Sequence, residues 1–399
     1  MQHLLSNRIL NMEESATLAM AAKSRELKAT GIDVIALSLG EPDFDTPAHI
    51  REAAKKAIDE HYSHYTPVPG YADLREAISN KFKRDNNLDY SPNQIVASTG
   101  AKQTLANLMM CLVNEGDEVI LPIPYWVSYQ AQIELAGGKV VAVPTSIDSD
   151  FKMTAQQLEA AITDKTKAFL FSSPCNPSGS VYTMDELEAL AKVFEKHPNI
   201  VIISDEIYEH INFTGSHASI GTIPSLKDRT VTVNGLSKGF AMTGWRLGYM
   251  GAPLAIAKAC SKMQGQFTSA TCSITQRAAI VALGDDVSTS MAFKAEFEKR
   301  RAFVYDLLKD IDGLKVNMPQ GAFYFFPDAS SFIGKTTPDG QKINNIDELS
   351  MYILNKGHVA VVTGSAFGNP NCLRLSYATS QDVLKEALSR IKNCLQQLS

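Results

Sequence analysis

Between about residue 95 and residue 250 the chain alternates helical and strand-like hydrophobic periods, and this restricts it to a sheet interleaved with helices. After Gly100, Leu105, Leu108, Met109, Leu112 and Val113 recur at helical spacing until Asn114-Glu115-Gly116-Asp117 stops the run. Val119-Ile120-Leu121 is then a short strand. Lys139 to Val143 reads as a strand, Thr154 to Ile162 as a helix opened by a Thr154/Gln157 capping box, and Lys167 to Phe171 as another strand. Thr183 and Glu186 cap the next helix. Ile200 to Ile203 is wholly β-branched, as suits a strand covered on both faces, and Thr230 to Val233 repeats the pattern. A parallel α/β sheet follows from these consecutive βα units.

The two ends read differently. Residues 1–45, and everything from the long charged helix near Ser288 onward (288–399), have an α+β pattern and are assigned to one smaller domain, leaving 46–287 as the large domain. The 399 residues, 45% of them hydrophobic, are enough for more than one core. Thirty-eight Lys and Arg against 43 Asp and Glu leave a net charge of −5, which gives a polyanion such as nucleic acid no basic field to bind. No apolar run approaches the roughly 18 residues that cross a bilayer, so no membrane partner is expected. The first twenty residues lack a sustained apolar stretch and carry Glu13 and Glu14, which points to the cytoplasm. Six scattered cysteines without a C-x-x-C pair read mostly as buried, reduced thiols.

Several familiar motifs fail. No two glycines are separated by a single residue, which removes the G-x-G-x-x-G dinucleotide loop. Gly334-Lys335-Thr336 has Ala329 where a phosphate loop needs its upstream glycine, and reads as a surface turn. His61 and His64 have no carboxylate or cysteine pattern to complete a zinc site, so no metal is assigned.

Ligands of open α/β sheets bind beyond the carboxyl ends of the strands. Four such ends here are polar: Ser98-Thr99-Gly100-Ala101-Lys102, Ser173-Pro174-Cys175-Asn176-Pro177-Ser178-Gly179, Asp205-Glu206-Ile207-Tyr208, and Asn234-Gly235-Leu236-Ser237-Lys238. The first opens a helix with free amides and small residues, which suits a phosphate, and Ser237 and Arg246 can add a hydroxyl and a guanidinium. Asp205 ends an apolar strand and needs a cation or a ring N–H to face. Lys238 supplies an amine. Phosphate cradle, amine and carboxylate together match pyridoxal phosphate, whose protonated ring acts as an electron sink.

Singly, each residue has an ordinary reading: Lys238 as a surface charge, Asp205 as a helix cap, Asn176 as an Asx-turn, Arg374 as half of a structural ion pair, Trp126 as a core aromatic. The weight lies in their co-occurrence at strand ends.

Gly235-Leu236-Ser237-Lys238-Gly239-Phe240-Ala241-Met242-Thr243-Gly244-Trp245-Arg246-Leu247-Gly248 resembles the lysine attachment signature of the fold-type I, class I aminotransferases, and the similarity runs along nearly the whole chain. Ser38-Leu39-Gly40-Glu41-Pro42-Asp43-Phe44, Tyr65-Thr66-Pro67 with Gly70, Pro124-Tyr125-Trp126, Ser173 to Pro177, Ser204 to Tyr208, and Arg374-Leu375-Ser376 follow in the family's order. The resemblance implies a mainly parallel seven-stranded sheet flanked by helices in the large domain, with the smaller α+β domain built from both chain ends. It implies that Lys238 binds pyridoxal 5'-phosphate covalently and carries the proton at the substrate Cα, and that Asp205 pairs with the pyridine N–H. By the same resemblance Tyr208 and Asn176 bond the ring's phenolic oxygen, Trp126 stacks on the ring, and Gly100, Ala101, Lys102, Ser237 and Arg246 hold the phosphate region. Tyr65 would reach the phosphate of a neighbouring subunit, which implies a homodimer with shared sites.

Arg374 would clamp the substrate α-carboxylate, assisted by Gly40 and Asn176. The resemblance is strongest to bacterial aspartate aminotransferases, in which a threonine and a lysine at the positions of Thr17 and Lys102 meet the distal carboxylate; the implied reaction is ping-pong transfer from L-aspartate to 2-oxoglutarate. Relatives that use prephenate tend to carry a basic residue where this chain has Glu13, and Cys175 replaces a residue that is often polar. Aminotransferases of aromatic, prephenate or alanine type, and a C–S β-lyase of the same fold, are the alternatives. A non-catalytic regulator on the same body ranks last, because such regulators resemble fusions to a helix-turn-helix domain.

Overall fold

A computed structural model describes residues 4–284 and 288–399. The strands are β1 (Ile35–Ala36), β2 (Ile95–Ser98), β3 (Glu118–Pro122), β4 (Lys139–Val143), β5 (Thr166–Ser172), β6 (Val201–Asp205), β7 (Thr230–Gly235), β8 (Gly248–Gly251), β9 (Tyr324–Phe325), β10 (Val359–Ala360), β11 (Val362–Thr363) and β12 (Leu373–Ser376). Seven form one sheet in the order β2-β8-β7-β6-β5-β3-β4, in which only β8 runs antiparallel to its neighbours. The fold is the expected mainly parallel, seven-stranded α/β architecture of fold type I.

Both faces of this sheet are covered, which explains its unbroken apolar strands. Phe169, Phe171 and Ile202 pack with Leu187 and Leu190 of the Met184–Phe194 helix, while Leu170, Ile203 and Val231 pack with Leu105 and Leu108 of the Ala101–Leu112 helix. The capping boxes read from the sequence form at Thr154/Gln157 and Thr183/Glu186, and each fixes a helix start beside a strand. The sequence reading had no strand at β8. Its glycines form one because little else fits: a Cβ on Gly248 would meet the Ala101 amide at 2.1 Å, and one on Gly251 would meet the Tyr90 ring at 2.2 Å.

The chain ends meet. β1 pairs with β10, the Leu37 amide donates to Ala360 and the Ser376 amide to Leu37, so the loop after β1 lies against β12. β9, β11 and β12 form a second sheet over a core that includes Phe297, Phe323, Phe325, Ile353, Leu375 and Leu388. That core also takes in Tyr208 and Ile211, from the turn after β6. The expected boundary at residue 287 lies outside the described residues. All six cysteines are free; Cys175, Cys260, Cys372 and Cys394 are buried, Cys111 is partly covered and Cys272 is exposed. Among the described residues no helix is long and apolar enough to cross a membrane.

Candidate active site

Strand register aligns the polar ends. Ser172 sits opposite Asp205 and Asp205 opposite Val233, while Gly235 and Ser98 both face Gly248. The segments leaving β2, β5, β6 and β7 therefore open into one cavity of about 300 Å³. Thr17, Gly40, Ala101, Lys102, Trp126, Asn176, Asp205, Tyr208, Ser237, Lys238, Arg246 and Arg374, twelve of the residues named from sequence, line it. Gly100 lies at its edge as the N-cap of the Ala101–Leu112 helix. Tyr65 is not brought to it: the side chain is 99% exposed, outside its own chain's cavity.

Lys238 follows β7 and its amine donates to the Gly40 carbonyl, joining the large sheet to the loop after β1. Burial lowers its pKa to about 8, although Glu41 and Asp205 pull the other way. Asp205 closes β6 with its carboxylate buried. Oδ2 accepts the Tyr129 hydroxyl at 2.7 Å and Oδ1 accepts the Ile207 amide at 3.2 Å. Burial raises its pKa to about 6 against the pull of those two bonds.

Arg374, on β12, is 1% exposed. Its Nη1 donates to Asn176 Oδ1 at 2.9 Å and its Nη2 to the Ser38 carbonyl at 2.5 Å, and the guanidinium stacks 4.7 Å from the Tyr324 ring and 4.9 Å from the Phe367 ring. Its buried Nε has no partner. The Tyr208 and Tyr324 hydroxyls are 2.7 Å apart. The Lys102 amine sits 5.0 Å over the Trp126 ring, and burial and Arg246 lower its pKa.

The helix start is a cradle for an anion. The first amides of a helix have no partner within it. Gly100 holds φ +86°, and a Cβ there would meet an Arg246 guanidinium nitrogen at 2.3 Å, so the glycine lets the guanidinium close on the helix end. Arg246 is steadied by the Thr243 carbonyl, which accepts from Nη1 at 2.8 Å. An anion cradle, a buried carboxylate ready for a ring N–H and a desolvated lysine amine lie in one cavity, so the residues fit pyridoxal 5'-phosphate.

Two tyrosines at the site were not read from sequence. Tyr129, in the Ser128–Leu135 helix, holds the Asp205 carboxylate; its position three residues beyond Trp126 was the available signal. Tyr324 pairs with Tyr208 and stacks on Arg374, but within Phe323-Tyr324-Phe325-Phe326 it looks like an ordinary core aromatic.

The family model for aminotransferase class I and II matches residues 32–391. The aspartate/prephenate aminotransferase of Cereibacter sphaeroides is 46% identical over 392 residues, covering 97% of this chain and 98% of that protein. The aspartate aminotransferase of Bacillus sp. strain YM-2 is 45% identical over 393 residues, covering 98% and 99%. Among solved structures, the aspartate aminotransferase of Rhizobium meliloti superposes with a TM-score of 0.96 at 43% identity, covering 99% of each chain, and that of Thermus thermophilus with maleate with a TM-score of 0.91 at 40% identity, covering 98% of this chain and 99% of that one. The chain belongs to the class I and II aminotransferases, enzymes that depend on pyridoxal 5'-phosphate and move an amino group between an amino acid and a 2-oxo acid.

Proposed function

We infer that the enzyme transaminates L-aspartate with 2-oxoglutarate, giving oxaloacetate and L-glutamate. The observation that carries this reading is one cavity lined by the Lys238 amine, the Asp205 carboxylate, the Arg374 guanidinium and a further cation, Lys102, with Thr17 also in the lining. Two cationic groups suit a substrate with two carboxylates.

Bound, the cofactor supplies a protonated ring that takes up the electron pair left at the substrate Cα. Asp205 would face the ring N–H, and the Tyr129 hydroxyl holds that carboxylate in its charged form. Ala101, Lys102, Ser237 and Arg246 would hold the phosphate at the helix start, where Gly100 leaves the space, and Trp126, Tyr208 and Asn176, which line the same cavity, would hold the ring. Lys238, whose amine lies in the cavity, would hold the cofactor and would carry the proton at the substrate Cα. Its lowered pKa leaves part of the amine neutral near physiological pH, as a base requires. Arg374, which lines the cavity with Asn176 and Gly40, would pair with the substrate α-carboxylate and so orient the Cα–H bond before it breaks.

Exposed Tyr65 supports a homodimer in which it reaches the partner's phosphate site. We divide the chain into a large domain, 46–287, and a small one, 1–45 with 288–399, and place the enzyme in the cytoplasm. Prephenate is the second reading, favoured by the name of the Cereibacter sphaeroides relative. Purified protein supplied with aspartate and 2-oxoglutarate should release oxaloacetate and glutamate in equal amounts. A faster reaction of prephenate with an amino donor would favour the second reading, and pyruvate with ammonia from a cysteine conjugate would favour a lyase.

A further inference from the structure

The turn that delivers Asp205 and Tyr208 to the cavity has a second, charged face. Asp205 and Tyr208 are three residues apart and line the cavity; Glu206 and Glu209, one residue further on, have the same spacing and are buried outside its lining. The Glu209 amide donates to the Glu206 carbonyl at 2.9 Å and the Ile211 amide to the Tyr208 carbonyl at 2.8 Å, which sets the two pairs back to back.

Each acid is tied to a different element. Glu206 accepts Ser204 Oγ at 2.9 Å and Ser219 Oγ at 2.6 Å, and pairs with His217 Nε2 at 2.9 Å. Glu209 accepts the Lys81 amine and the Asn86 amide, both from the Ala72–Asn86 helix, and has His210 Nε2 at 3.3 Å. Glu206, Glu209 and His217 offer ligand atoms within 4.8 Å of one another. The Lys81 ammonium and the His217 ring already engage both carboxylates, so the chain's own cations fill the place of a metal.

Stability alone does not call for such a cluster. Desolvating buried charges is costly, and apolar residues of similar size often replace a buried ion pair with no loss. Directional bonds add a fixed orientation. Strand pairing ends at Asp205, and the backbone is next tied to the Glu206 amide, which donates to Val233 at 2.8 Å, and to Ile211, whose carbonyl accepts the Ala322 amide at 2.7 Å. Between these ties the turn is held by its own amide bonds, by the Ile207 amide on Asp205 and by the Tyr208–Tyr324 hydroxyl pair, and the side chains of Glu206 and Glu209 add its bonds to Ser219, His217 and the Ala72–Asn86 helix.

We propose that Glu206 and Glu209, held by Lys81, Asn86, His217 and Ser219, are positioning residues that fix the Asp205 carboxylate and the Tyr208 hydroxyl against the cofactor ring. The inference rests on the reading above, in which Asp205 and Tyr208 face that ring.

The test uses holoenzyme carrying Glu209→Gln, the apolar pair Lys81→Met with Glu209→Leu, or Ser219→Ala, which removes one hydroxyl and no charge. Misplacement of the ring contacts should lower kcat about tenfold in the first two and about threefold in Ser219→Ala. KM for the amino acid should stay within about twofold, because Arg374 lies on another element. Loss of cofactor from diluted holoenzyme should quicken in step, and the cofactor's visible band should move. The apolar pair should melt at or near the wild-type temperature and still show these changes. Wild-type kcat, cofactor retention and band position in the variants that fold would overturn the proposal. Asp205→Asn is the control: if it leaves the band and kcat unchanged, the assignment of Asp205 to the ring fails, whereas a large effect there with none in the cluster variants removes only the positioning role.

Discussion

Replacing Tyr129 with Phe removes one oxygen and leaves the ring that packs edge-on against Trp126 at 5.5 Å. The lost bond is a 2.7 Å donation to a buried carboxylate, a class of interaction worth about 1.5–3 kcal/mol. Because the hydroxyl stabilises only the charged form, its loss raises the Asp205 pKa, and at about 1.4 kcal/mol per pH unit the rise is about one to two units. Starting from about 6, the ionised fraction at pH 7 would fall from about 0.9 to between about 0.5 and 0.1. A facing ring N–H lowers both starting values, so the assay reads the difference between the proteins. The kcat/KM profile for aspartate should show its acid limb displaced upward by about one to two units in Tyr129→Phe, with rates approaching wild type near pH 9. An unmoved acid limb, or a loss equal at every pH, would refute the argument that this hydroxyl keeps the carboxylate charged.

Lys238→Ala should still bind the cofactor through the helix start and Arg246 but lose kcat by about 10²–10⁴-fold or more, since the proton carrier is gone; near-normal turnover would remove its role. Lys102→Ala should raise KM for aspartate more than for an apolar amino donor, and an equal rise for both would end the distal-carboxylate assignment. Asp205 also bears on stability. Burial holds its carboxyl at about 6 against 3.8 when unfolded, so the folded state loses stability as the pH rises from about 4 to about 6 and carries the full penalty, about 3 kcal/mol, above that. Cofactor-free Asp205→Asn should therefore resist denaturant better than cofactor-free wild type at pH 8, with the difference vanishing as the pH falls towards 4; an equal or lower midpoint at pH 8 would contradict this.

What the sequence revealed was local. Capping boxes at Thr154 and Thr183 need only four residues each, and the β-branched run before Asp205 announces a strand covered on both sides, so the sheet and its polar ends could be placed. The lysine segment was legible because one contiguous stretch carries Ser237, Lys238 and Arg246. The β8 strand was hidden, since its glycines have no strand preference and are required by Ala101 and Tyr90, residues far off in the chain. Tyr324 and Tyr129 were hidden for a related reason: their function lies in a hydroxyl whose partner is 116 or 76 residues away. The bond between Lys81 and Glu209 spans 128 residues and has no sequence period at all.

Every role assigned to the cavity depends on which lysine bonds the cofactor. Reduction of the purified holoenzyme with borohydride converts that bond to a stable secondary amine, and peptide mass mapping then locates it. The account predicts a phosphopyridoxyl group on the peptide that contains Lys238 and on no other, whereas the group on Lys102 or another lysine, or no adduct in protein that retains its cofactor colour, would contradict it.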